Sequence, residues 1–197
     1  MSDAEYGSNA ARAYRPRERI VYQAVQHMRS RGPGGASLRA IVRDADAPWG
    51  SLRHYFPGGK DQLLTEALQW SGEYASARVQ AYLDSVAHPT PGGLLEALAD
   101  GWIADLQRRG FSRGCPIAAA TMDAGGGPDV ASATGAALER WEGVIVAALG
   151  EMDAPDPQRA ANVLLSLLEG AVLLCRAKQS VQPLEDVKKC AELVGPW

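Results

Sequence analysis

Apolar residues recur at helical spacing along most of the chain, and no stretch reads convincingly as a strand. Val21, Ala24, Val25 and Met28 share one face between Arg17 and Arg31, and Gly32-Pro33-Gly34-Gly35 supplies the stop. Ser37 stands where an N-cap belongs, and Leu38, Ile41, Val42 and Ala45 follow at i, i+3, i+4 and i+7, which predicts a short amphipathic helix over 38–45. Arg39 and Arg43 fall on its outer face. Asp46-Ala47-Pro48 interrupts the pattern, and Pro48 suits the first turn of another short helix because its missing N–H costs nothing there. That helix runs to about Tyr55 and buries Leu52 and Phe56. Trp49, Gly50, Ser51, Arg53 and His54 are left on or beside the outward face.

Pro57-Gly58-Gly59 ends this element, and Lys60 and Asp61 open a long helix to about Ala87, with Leu64, Leu68, Ala75, Tyr82 and Val86 at apolar positions. At 1.5 Å per residue it spans roughly 40 Å, long enough to join two domains. Further helices are expected over 91–109, 116–124, 128–150, 157–180 and 183–195, with Pro91 and Pro157 at first helical positions, Asp156 as a cap and Gly110 as a stop. Residues 1–16 are polar and unpatterned, an arm leading into the Arg12, Arg15, Arg17, Arg19 cluster, which is suited to phosphates. The Gly125-Gly126-Gly127 run reads as a joint. The fold class is all-α.

Charge changes the picture. The formal net charge of -3 hides an asymmetry across Lys60: residues 1–60 carry ten Lys/Arg against five Asp/Glu, and the remainder ten against eighteen. A basic head on an acidic body is the electrostatic footprint of a small DNA-binding domain over 1–60 and a larger domain over 61–197 with another task. A hydrophobic content of 46% is ample for a core without staples. Cys115, Cys175 and Cys190 are odd in number and far apart, and MSDAEYGSN has no apolar signal character, so a reducing cytoplasm is expected. The run from Ala160 to Cys175, interrupted by Asn162, Ser166, Glu169 and Gly170, is shorter than the roughly 20 residues of a membrane span.

A helix-turn-helix lays its second helix in the major groove and its first across the backbone, so the second must be short, exposed on one side and anchored on the other. Residues 37–60 meet these conditions. Gly50 lets the backbone approach a base or phosphate, and Ser51, Arg53 and His54 supply donors. Arg39, Tyr55 and Lys60 suit phosphates, and Ser37 is counted with these DNA-contacting residues. The competing reading is a helix with one buried face and a merely decorated surface.

SLRAIVRDADAPWGSLRHYFPGGKDQL, from Ser37 to Leu63, resembles the helix-turn-helix signature of the TetR family of repressors. Gly50, Leu52, Tyr55, Phe56 and Lys60 carry the likeness, with Asp61 and Leu63 matching its ending. PGGK at 57–60 and GCPIAAAT at 114–121 also resemble the LmrA/YxaF branch. The sequence departs from the family pattern at four positions. Asp46 stands where a turn glycine is usual, Pro48 where Ser or Thr is frequent, Trp49 at a variable base-reading position, and Arg53 where Tyr is usual. Arg53 could therefore contact a guanine bidentately rather than a phosphate. Trp49 could pack on a thymine methyl or sugar, or lie half-buried against the first helix.

The resemblance implies a body that dimerises and encloses a pocket for a small hydrophobic or aromatic effector, whose occupation releases operator DNA. NVLLSLLEGAVLLC independently supports dimerisation, because a helix apolar nearly all round needs a partner subunit as well as its own core. Pairing is expected through 157–180 with 183–195 beside it, and two heads so related would read a pseudo-palindrome. Tyr74, Tyr82, Trp102, Phe111, Met122 and Trp141 could wall a pocket, or be ordinary core. Glu169 could face a cationic effector, or lie at an interface or exposed edge. Cys115 opens a helix near Arg113, a setting that lowers a thiol pKa and suits a redox switch, although free cysteines are more often structural.

The main rival class is an enzyme, or a helical small-molecule-binding protein with no DNA role. His27, His54 and His88 show no metal-ligand spacing with the cysteines, and no GxSxG or phosphate-cradling loop follows a strand. No metal and no cofactor are expected.

Overall fold

The computed structural model describes residues 15–123 and 125–193, so that most of the expected N-terminal arm, Arg12 included, lies outside the described residues. Among them the order is α1 (Pro16–Gly35), α2 (Leu38–Asp44), α3 (Trp49–Tyr55), α4 (Gly59–Ser85), α5 (Pro91–Arg108), α6 (Pro116–Met122), α7 (Pro128–Glu151), α8 (Pro157–Lys178) and α9 (Gln182–Leu193). The all-α expectation holds. The chain packs as two compact units, one of residues up to Ser71 with Pro116–Ala137, the other of Gly72–Cys115 with the residues from Leu138 onward. Packing thus assigns 61–71 and 116–137 to the unit that holds the basic head, a finer division than the charge step at Lys60.

In the first unit Ile20, Ala24 and Met28 of α1 are fully buried, as are Ile41, Leu63, Leu64 and Leu68. Each large aliphatic side chain so buried contributes about 1.5–3 kcal/mol. Gly32, at φ 69°, breaks the helical path of α1 at the expected stop. α6 packs against α1. Ser37 caps α2, its hydroxyl accepting from the Ala40 amide at 3.5 Å. Gly59, at φ 72°, starts α4, and the Gln62 side chain accepts from the Gly58 amide at 2.8 Å.

In the second unit α5, α8 and α9 pack on one another around Leu94, Leu95, Leu106, Leu168 and Leu184. Lys188 of α9 pairs with Asp100 of α5 at 2.6 Å. Thr90 caps α5 by accepting from Gly93 N at 3.1 Å, with Pro91 at N1. Asp156 caps α8 by accepting from Arg159 N at 3.1 Å.

Two sequence expectations need adjustment. α4 ends at Ser85, and Val86, read as one of its apolar positions, is exposed. α8, with 22 residues, is long and apolar enough to cross a membrane by length and composition, where a shortfall was expected. Its Leu164, Leu168, Val172 and Cys175 nevertheless lie in the core, as in the central helix of a packed domain.

Candidate nucleic-acid interface

The residues between Ser37 and Lys60 form the expected helix, turn and second short helix, and the turn explains one departure from the family pattern. Asp46 sits at φ 49°, in the left-handed region that glycine adopts without penalty and that Asp tolerates better than most side chains. Arg19 of α1 secures this turn, its Nε donating to Ala45 O and its Nη2 to Asp46 O, both at 3.1 Å. His27 of α1 meets the Asp44 carboxylate at 2.9 Å, tying α1 to the end of α2. Burial raises the Asp44 carboxyl, but the His27 and Arg43 hydrogen bonds and charges outweigh it and hold the group below the ordinary carboxylate value.

α3 is anchored on one side and open on the other. Leu52 and the following Phe56 are buried, and Arg17 lies over the Phe56 ring at 5.2 Å while pairing with Glu66 at 2.7 Å. On the other side Trp49 is 55% exposed, and Gly50, Arg53 and His54 are exposed. Ser51 and Tyr55 are half-buried, the Tyr55 ring standing edge-on to His54 with centroids 4.9 Å apart. A Cβ added at Gly50 would meet nothing within 4 Å. The chain itself therefore does not require glycine there, so any need for a bare backbone comes from outside it. Ser37 and Arg39 are exposed at the start of α2. Lys60 is half-buried, its Nζ donating to Gly34 O at 3.3 Å.

Comparison with known proteins follows the same lines. Residues 91–190 match the family described as transcriptional regulator LmrA/YxaF-like, C-terminal domain. An uncharacterized HTH-type transcriptional regulator of Mycobacterium tuberculosis, Rv0196, is 36% identical over 185 residues, covering 88% of this chain and 91% of the relative. The chain belongs to the LmrA/YxaF-like branch of the TetR family of transcriptional regulators. The HTH-type regulator LmrA of Bacillus subtilis is 25% identical over 178 residues, covering 88% of this chain and 93% of LmrA. The regulatory protein TetR from Rhodobacter sphaeroides shares the fold at a TM-score of 0.77 and 23% identity, over 88% of this chain and 95% of that one.

For this LmrA/YxaF-like regulator, the residues read as pocket walls separate into groups. Met122 is 71% exposed and belongs to the first unit, apart from the others. Tyr82 staples the end of α4 to the start of α5: its hydroxyl accepts from Thr90 N at 3.0 Å and donates to Thr90 O at 3.2 Å. A Cβ at Gly93 would overlap that hydroxyl, hence the glycine. Phe111 takes φ 58° at the end of α5, an uncommon conformation for a bulky aromatic. Tyr74 and Trp102 are half-buried. Trp141 is buried, its Nε1 without a hydrogen-bond partner. The Cys115 thiol is buried and donates to the Glu169 carboxylate. Burial pushes the Glu169 carboxyl up to about 7, against the lowering effect of that hydrogen bond. Among the described residues no cluster of three His, Cys, Asp or Glu could hold a metal.

Sequence reasoning missed Arg19 and Asp123. Arg19 was grouped with the phosphate-binding arm, and nothing local pairs it with a turn 26 residues on. Asp123 did carry a signal, since an Asp two residues before a Gly favours a side-chain turn, and its Oδ1 accepts from Gly125 N at 2.8 Å.

Proposed function

We propose that the chain is a homodimeric repressor that binds a pseudo-palindromic operator through α3 and releases it when a small hydrophobic or aromatic effector occupies the second unit. The observation that carries the reading is the two-sidedness of α3, with Leu52 and Phe56 in the core and Trp49, Gly50, Arg53 and His54 facing outward. In this reading Arg53 reads a guanine edge and Trp49 packs on a thymine methyl or sugar. Gly50 admits the backbone to a phosphate or base edge, and Ser51 and His54 add donors. Ser37, Arg39, Tyr55 and Lys60 hold phosphates.

Dimerisation is supported by α8. Leu173 and Leu174 are about half exposed, and Asn162, Ser166 and Gly170 continue an exposed stripe of small and apolar residues along the same helix. Small side chains allow two helices to approach closely, and the exposed leucines supply the apolar area. The location is taken to be cytoplasmic, with the DNA.

Release follows from connectivity. The chain passes between the units inside α4, at Cys115–Pro116 and inside α7. An effector seated beside Cys115 acts where the chain enters α6, and α6 leads to Asp123, which holds the last turn of α1. Release also requires the effector to bind the DNA-free form more tightly than the DNA-bound one.

Selection of randomised duplexes on the purified protein, followed by anisotropy titrations across salt concentrations, tests the reading. A palindromic winner with steep salt dependence is expected. No enrichment at any salt removes the repressor assignment.

A further inference from the structure

Three side-chain atoms of the second unit are buried without a hydrogen-bond partner: Trp141 Nε1, Glu169 Oε1 and Arg176 Nε. Folded proteins rarely leave such groups unpaired, because each forfeits its hydration without replacement. Two of the three belong together. Glu169 and Arg176 are seven residues apart on α8, hence on one face and about 10 Å apart along its axis. Both reach the segment just before α6. The Cys115 thiol donates to the Glu169 carboxylate, and a Cβ at Gly114 would come 2.9 Å from Arg176 Nη1. The carboxylate and the guanidinium therefore flank one dipeptide, each with an unmet valence, and they do not pair with each other.

The geometry at Glu169 selects a ligand chemistry. A thiol meets a carboxyl group as a donor, so the group is arranged here as an acceptor, and the lone pairs of Oε1 remain unfilled. Resting on the effector reading above, we propose that Glu169 is the polar anchor of the effector site and that the effector is a hydrophobic amine, its ammonium donating to Oε1. Burial leaves the carboxyl at the edge of ionisation near neutral pH, so an ammonium would supply the compensation that the folded chain withholds. Arg176 Nε then offers a donor to an acceptor elsewhere on the same molecule.

The test uses the full chain, wild type and Glu169→Gln, with 4-phenylbutylamine and its neutral counterpart 4-phenylbutanol as calorimetric probes. Release of the selected duplex is followed in parallel. The amine is expected to bind the wild type roughly ten- to a hundredfold more tightly than the alcohol, the range of a charge-assisted hydrogen bond. In Glu169→Gln that preference should fall below about threefold while alcohol binding stays unchanged. The variant's thermal midpoint should be at or above that of the wild type, since it removes a buried ionisable group.

Equal affinities in the wild type, an amine preference that survives in Glu169→Gln, or no binding of either probe overturns the anchor. An amine bound with the expected preference that leaves the duplex in place upholds the anchor and removes the effector reading. Release by both probes, indifferent to the substitution, upholds the effector reading and removes the anchor.

Discussion

The Asp123 carboxylate accepts a hydrogen bond from the Gly34 backbone amide at 2.6 Å, joining the last turn of α1 to the joint after α6. Its other oxygen accepts from Gly125 N at 2.8 Å, and Lys60 donates to Gly34 O on the same turn. Glycine is required on both sides: a Cβ at Gly125 would fall 2.7 Å from Gly34 Cα, and one at Gly32 would overlap the carboxylate. The Gly125–Gly127 run is therefore a docking surface for the head as much as a joint.

Asp123→Ala should lower the thermal midpoint of the protein at pH 7. The amides of Gly34 and Gly125 hold the carboxyl below its ordinary value, and Lys60 adds to this. A depressed folded pKa means that the contribution is present above the unfolded value, about 4, and is lost as the pH falls through the folded one. The gap between variant and wild type should narrow as the pH falls through the depressed value of the folded carboxyl. Matching midpoints at pH 7 would show that the carboxylate contributes nothing.

Gly125→Ala and Gly143→Ala should have opposite effects. The first forces a methyl group against backbone, which costs about 1–3 kcal/mol. The second adds a methyl group in open space within α7, with nothing within 4 Å, and should gain up to about 1 kcal/mol in helix propensity. Urea midpoints decide it, and a Gly125→Ala protein as stable as wild type would contradict the close approach.

Asp46→Gly should stabilise the head by about 1 kcal/mol, because the turn holds a side chain in the left-handed region. Arg19→Gln should destabilise it, since two carbonyls of that turn lose their donor. Chemical denaturation of both variants checks the pair. A destabilised Asp46→Gly would mean that the side chain does more in the turn than tolerate its geometry.

On the selected duplex, Arg53→Ala should cost about 1–3 kcal/mol and relax the preference at one base pair, whereas Arg39→Ala should weaken all sequences alike and reduce the salt slope by about one. Anisotropy titrations at several salt concentrations separate the two. If Arg53→Ala only flattens the salt slope, Arg53 is a phosphate contact.

Leu173→Glu should yield monomers, measured by sedimentation, with helical content unchanged, because Leu173 is 55% exposed within the chain and its replacement leaves the core intact. A dimer of undiminished affinity would place the two-fold axis elsewhere.

The sequence by itself determined the helices and most of their ends. Periodicity, caps and breakers are local properties: Ser37 before α2, Pro91 and Pro157 at helix starts, and the glycines after α1 and α3 act within one turn of where they stand. The two-sidedness of α3 was legible for the same reason, since a seven-residue helix with Leu52 and Phe56 on one side has little choice of face. Tertiary structure alone decided which distant residues meet. That Arg19 holds the turn at Asp46, that Tyr82 staples Thr90, and that Glu169 meets Cys115 are pairings across 27, 8 and 54 residues. The helical repeat says which way a side chain faces along its own axis. What it faces is set by the packing of other helices, which that repeat does not encode.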